Sequence, residues 1–85
     1  MWIRSQNRIV LINADKFIVS KEHEMFRIYS VNYFLGEYST EEKAMKVMDM
    51  IEDAILKCEA MRTGYAEYDF GTFVFDMPAD KDVEV

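Results

Sequence analysis

Apolar and polar residues alternate through the first part of the chain, and the period changes near residue 39. Residues 2–5 predict a short strand ended by the turn residues Gln6 and Asn7, and residues 8–12 carry the β-branched side chains that favour a pleated strand. Asn13, Ala14 and Asp15 punctuate the run as a turn, and residues 16–20 read as the next strand. The charged run 21–24 is a hairpin loop leading into residues 25–29. There, alternation puts Phe26 and Ile28 on one face and Arg27 and Tyr29 on the other. Asn32 is the residue expected to adopt positive φ in the following turn. Residues 33–38 complete an antiparallel meander.

From residue 39 the spacing is helical. Ser39 is expected to cap the amide three residues on, with Glu42 reaching back to the amide of Ser39. Glu41 and Glu42 sit where the helix dipole favours negative charge. Ala44, Val47, Met48, Ile51, Ala54, Ile55 and Cys58 form one apolar stripe, with Met50 and Met61 beside it and Lys46, Asp53 and Lys57 opposite. The pattern predicts one amphipathic helix over about residues 40–62, with Gly64 as its stop. Residues 72–77 read as a final strand ended by Pro78. Residues 63–71 are aromatic and acidic, with no period that assigns them. The expected fold class is α+β: an antiparallel meander of about five strands packed by the long helix, because neither element can bury its apolar side alone. Residues 1–78 form one domain, and the acidic tail 79–85 is expected to fray.

Composition adds limits to this picture. The hydrophobic fraction of 51% and aromatic fraction of 14% are generous for 85 residues, so part of the apolar surface is expected between subunits of a homo-oligomer. A single cysteine, Cys58, allows no internal disulfide, the staple a secreted domain of this size normally needs. No apolar run after Arg4 suits a signal peptide, and none approaches the ~20 residues of a membrane span. The expected location is therefore the cytoplasm. The net charge of −6 is uneven: residues 1–35 carry +2 and residues 36–85 carry −8. Duplex nucleic acid is repelled by most of such a surface, while a local anion site on the amino-terminal half stays open.

Three segments carry a resemblance. The start Met1-Trp2-Ile3-Arg4-Ser5-Gln6, the run Leu35-Gly36-Glu37-Tyr38-Ser39-Thr40 leading into Lys43-Ala44, Val47 and Asp49-Met50-Ile51, and Phe75-Asp76-Met77-Pro78 occur in that order. Together they resemble a group of short uncharacterised proteins of Firmicutes and their phages or prophages. The resemblance spans most of the chain and leaves out residues 21–31 and 62–71. It implies a small cytoplasmic protein tied to mobile elements, acting in the host cytoplasm when phage-encoded, and it transfers no catalytic residue.

Catalytic chemistry is poorly supplied. The three glycines are scattered, forming neither a phosphate loop nor a dinucleotide fingerprint. His23 is the sole histidine, and although Glu22 and Glu24 flank it, adjacent strand residues point to opposite sides; it reads as an exposed loop residue. Cys58 lies on the apolar stripe as an inert thiol. The acidic pairs Glu41/Glu42, Glu52/Asp53 and Asp80/Asp82 read as solvated surface. The expectation is a protein without catalytic residues, cofactor or metal.

Two binding constellations stand out. Trp2, Arg4, Arg8, Arg27, Tyr29 and Tyr33 combine guanidinium groups, which pair with phosphate, and aromatic rings, which stack on bases. This set suits a small nucleotide ligand, and with the resemblance it gives a homo-oligomeric accessory or counter-defence protein that sequesters a nucleotide immune signal. Met45 and Leu56 project off the helix stripe and suit a subunit interface. The alternative reading takes the acidic helix and tail (Glu52, Asp53, Glu59 and the tail acids) as a module that occupies a basic surface of a host protein.

Overall fold

The computed structural model describes residues 1–60 and 74–85. The amino-terminal run forms β1 (Trp2–Arg4), β2 (Leu11–Asn13), β3 (Ile18–Glu22), β4 (Met25–Ser30) and β5 (Tyr33–Tyr38), followed by α1 (Glu41–Ala60), β6 (Val74–Asp76) and a 3-10 turn at Asp80–Asp82. The class is α+β. The strands are divided between two three-stranded sheets, ordered β2-β1-β6 and β3-β4-β5. The second sheet is an antiparallel meander of three of the about five strands expected. In the first, β2 runs antiparallel to β1 and β6 runs parallel to it, pairing Trp2 with Val74 and Arg4 with Asp76. The helix packs on β4 and β5.

One core serves both sheets. Ile3 from β1 and Met77 just after β6 join Ile28, Leu35 and Tyr38 of the meander and Ala44, Val47 and Ile51 of the helix. The expected stripe is the buried side of α1, with Met48, Ile55 and Cys58 half-buried at its margins. Leu35 owes its place to a β-bulge. Ile28 pairs with Gly36 and Tyr29 with Phe34, so Leu35 has no partner in the ladder. Its side chain is fully buried, and its carbonyl accepts the Gln6 amide at 2.7 Å. Bulges re-aim side chains in this way. Gly36 beside it is needed for close approach, since a Cβ there would lie 3.1 Å from the Tyr38 hydroxyl and 3.3 Å from Met77 Cε.

Gln6 fastens the two sheets further. Its side-chain Oε1 accepts the Glu37 amide at 3.0 Å, and its Nε2 donates to the carbonyls of Glu37 and Pro78, each at 3.1 Å. The side chain thus does for β5 what another strand's backbone would do.

The turns depart from the expected residues. Positive φ falls on Val31 (56°) rather than Asn32, and the hairpin between β3 and β4 closes at His23 (52°) and Glu24 (67°). A two-residue hairpin with positive φ at its first position calls for glycine, and a β-branched residue there is strained. Val31 is 71% exposed, so little packing is lost on removing its side chain. Val31→Gly is expected to stabilise the protein by about 0.5–1 kcal/mol, relief of strain exceeding the entropy cost of glycine. A chemical-denaturation midpoint at or below that of the parent protein contradicts this.

Two expectations about the helix start and the tail are corrected. Thr40, not Ser39, caps α1, its Oγ1 accepting the Lys43 amide at 3.1 Å. The Ser39 amide goes to Asp80 Oδ1 at 2.8 Å instead of to Glu42. The tail does not fray through its length: Val83 is buried in the core. Pro78 O accepts the Tyr38 hydroxyl at 2.7 Å, and Lys43 Nζ donates to Asp80 O at 3.0 Å. A buried apolar residue and a carboxylate with local donors outweigh the acidic composition that suggested fraying. Burial, aided by the Asp80 charge, pushes the Tyr38 phenol well above its usual pKa. The described part of the expected last strand is Val74–Asp76. The unassigned segment 63–71 and Met61, Arg62 and Gly64 lie outside the described residues.

Asp80 makes the tail clasp sensitive to acid. Hydrogen bonding from the Ser39 backbone amide, then the Ser39 hydroxyl and Lys43, holds its carboxyl below the ordinary value against a smaller effect of burial. A lowered folded-state pKa contributes stability that is fully present above the unfolded value of about 3.9 and is lost as pH falls through the folded value. Asp80→Asn is therefore expected to melt below the parent protein at pH 7, with the gap closing below about pH 4. A gap in melting temperature that stays constant from pH 7 to pH 3 contradicts the clasp.

Candidate ligand-binding faces

In β1, Ile3 is fully buried, so alternation turns Trp2 and Arg4 to the outer face of the first sheet. Their cross-strand partners share that face: Asn13 and Leu11 from β2, Val74 and Asp76 from β6. Trp2, Leu11 and Val74 remain 40%, 45% and 39% exposed, leaving an apolar strip open to solvent. Arg4 is half-buried. Its Nη1 donates to the Arg8 carbonyl at 3.3 Å, and its buried Nε has no hydrogen-bond partner among the described residues. Arg8, held at φ 72° after a hydrogen-bonded turn from Ser5, puts its Nη1 2.8 Å from Asp76 Oδ1. Both partners are mostly exposed, and such pairs contribute at most about 1 kcal/mol. Buried Ser5 orders this turn, donating to Asn7 Oδ1 and accepting the Val10 amide.

Trp2, Arg4 and Arg8 are thus brought together, and Arg27, Tyr29 and Tyr33 are not with them. Arg27 lies on the outer face of the second sheet between Glu37 (3.0 Å) and Glu22 (3.3 Å). Hydrogen bonding to Glu37 first, then to Tyr29, raises the Arg27 pKa. Glu22 is held below the usual carboxylate range, first by hydrogen bonding from Tyr29, against burial, and then by Ser20 and Arg27. Tyr29 meets Phe34 edge-on with ring centroids 6.0 Å apart. Two carboxylates on one guanidinium leave this cluster net negative, which opposes binding of phosphate. Tyr33 stands half exposed at the end of β5.

The outer face of α1 is a third surface. Met45, Met50 and Leu56 are 47%, 37% and 61% exposed among Glu41, Glu42, Asp49, Glu52 and Asp53. Asp53 pairs with Lys57 at 3.0 Å, one helical turn on. At its amino-terminal end this face borders a groove of about 660 Å³ shared with Glu84 and Val85. His23 is exposed in its hairpin turn. Among the described residues, no three or more His, Cys, Asp or Glu side chains are placed to hold a metal, and no helix is long and apolar enough to cross a membrane.

Leu11 and Val74 were not legible as parts of the first face, because only the long-range pairing of β1 with β6 brings Val74 beside Trp2. Glu84 and Val85 joined the groove for a similar reason: docking of Val83 carries them to the helix. Compared with known proteins, the chain matches no family model, no curated protein and no solved structure.

Proposed function

We propose that the protein is a non-enzymatic binding protein that assembles as a small homo-oligomer and holds a nucleotide against the outer face of its first sheet. The observation that carries this reading is the grouping of a half-exposed indole with two arginines, one half-buried with its Nη1 on the Arg8 carbonyl and the other in a surface ion pair. The indole offers a stacking face for a base, and the guanidinium groups offer paired donors for phosphate. A phosphate displaces Asp76 from Arg8 at little cost, because the exposed pair contributes so little. Leu11 and Val74 leave an apolar margin that a second subunit covers, making the pocket a shared one. Met45 and Leu56 supply a further contact between subunits on the helix flank. In the context implied by the resemblance, the protein serves a phage or mobile element by sequestering a nucleotide immune signal of its host, with no chemistry performed on it.

Trp2 is the sole tryptophan, so its emission reports directly on this face. Titration with a panel of cyclic and linear nucleotides is expected to quench or shift that emission for at least one of them. Arg4→Ala with Arg8→Ala is expected to weaken that nucleotide by a factor of ten or more, on the order of what charge-assisted hydrogen bonds contribute. Unchanged emission across the panel, or affinity indifferent to both arginines, overturns the reading.

A second reading is favoured by the outer face of α1, where exposed carboxylates surround Met45, Met50 and Leu56. Apolar anchors within a charged rim suit a protein partner of opposite charge, such as a basic surface of a host protein. Capture of a basic host protein that is lost as salt rises supports it.

A further inference from the structure

We infer that the groove between the first half of α1 and Glu84–Val85 is a docking site for a short basic segment of a partner protein, one that carries lysine or arginine beside an aliphatic side chain. This rests on the second reading above, in which α1 faces a partner protein rather than another subunit. Four carboxylates, Glu41, Glu42, Asp49 and Glu84, line the groove against one ammonium, Lys46. None of these five groups has an ion-pair or hydrogen-bond partner among the described residues, whereas Glu22, Glu37, Asp53, Asp76 and Asp80 are all engaged. The positive end of the helix dipole, equivalent to about half a charge, offsets only part of this excess. The groove therefore attracts cations.

Met45 and Val85 add the apolar component. They are 47% and 63% exposed and give the methylene stem of a lysine or arginine a surface to lie on while its head meets the carboxylates. Methionine adapts to side chains of different shape. A volume of about 660 Å³ is that of a small-ligand cleft, so it takes two or three side chains of a segment rather than a folded element. Charge complementarity thus selects the partner, and the small apolar floor selects an alternating basic and aliphatic sequence over a purely basic one.

The test uses the full chain, isotope-labelled, titrated at low ionic strength with the capped pentapeptide Lys-Leu-Lys-Leu-Lys and followed by amide chemical shifts. The expected result is shifts confined to residues 41–49 and 84–85. Glu42→Lys with Glu84→Lys is expected to weaken binding about tenfold, and Asp15→Lys, an exposed turn residue away from the helix, to leave it unchanged. Shifts spread along the whole helix overturn the groove while leaving a generally acidic binding face intact, and equal weakening by every variant, Asp15→Lys included, overturns it in favour of a general charge effect. Absence of binding to the peptide overturns the groove as well, and salt-sensitive capture of an intact basic protein then decides separately whether the second reading survives.

Discussion

Replacing Ile3 with alanine is expected to remove about 3–4 kcal/mol of unfolding free energy, the cost of truncating a well-packed isoleucine and leaving part of its volume empty. Ile3 is fully buried and is the residue through which β1 enters the core formed by the meander and α1. At about 0.05–0.15 kcal/mol per residue, a chain of 85 residues has roughly 4–13 kcal/mol in total, so one substitution consumes a large share. Urea denaturation measures the loss. A single transition with an unchanged slope is expected, since both sheets unfold together. A loss below about 1 kcal/mol is the ordinary outcome for a site outside the core and contradicts the shared core.

Gln6→Ala is expected to cost about 2–3 kcal/mol, more than most substitutions of a polar residue at a turn, because three hydrogen bonds go with it. Water reaches this half-buried site and limits the loss. Gln6→Glu is the sharper variant. It preserves shape and the acceptor for the Glu37 amide, but it cannot donate to the carbonyls of Glu37 and Pro78 and sets a charge against both. It is expected to be at least as damaging as alanine in urea denaturation, whereas alanine, which removes the acceptor, is the variant expected to speed hydrogen exchange at the Glu37 amide. A fully stable Gln6→Glu protein contradicts the role given to that side chain.

The sequence made the helix and its buried side legible because their period is local. Ala44, Val47, Ile51 and Ala54 lie within one element, and no distant contact was needed to place them. Phe26, Ile28 and the meander around them were legible for the same reason. What escaped depended on pairing across long stretches of chain. Nothing near Val74 announces that it lies beside Trp2 in a parallel ladder, and nothing near Val83 announces a place in the core. The turns misled for a different cause. The two-residue hairpins put positive φ on His23, Glu24 and Val31, and the turn after Ser5 puts it on Arg8; none of them is glycine, so turn chemistry gave no local warning.

The candidate site divides along the same line. Burial of Ile3 puts Trp2 and Arg4 on one face by simple alternation, and Arg8 joins them through the turn that follows. Arg27 and Tyr29 share a face of the other sheet, where Glu22 and Glu37 meet the guanidinium. Cross-strand register decided that pairing, and composition alone did not distinguish an arginine facing Asp76 in solvent from one clamped between two carboxylates.

Native mass spectrometry of the untagged protein, with and without cyclic and linear nucleotides, tests the central proposal most directly because it reads assembly and ligand together. The proposal predicts an oligomer that gains nucleotide in a fixed ratio to its subunits and loses that gain when Arg4 and Arg8 are replaced. A monomer that acquires no nucleotide contradicts it.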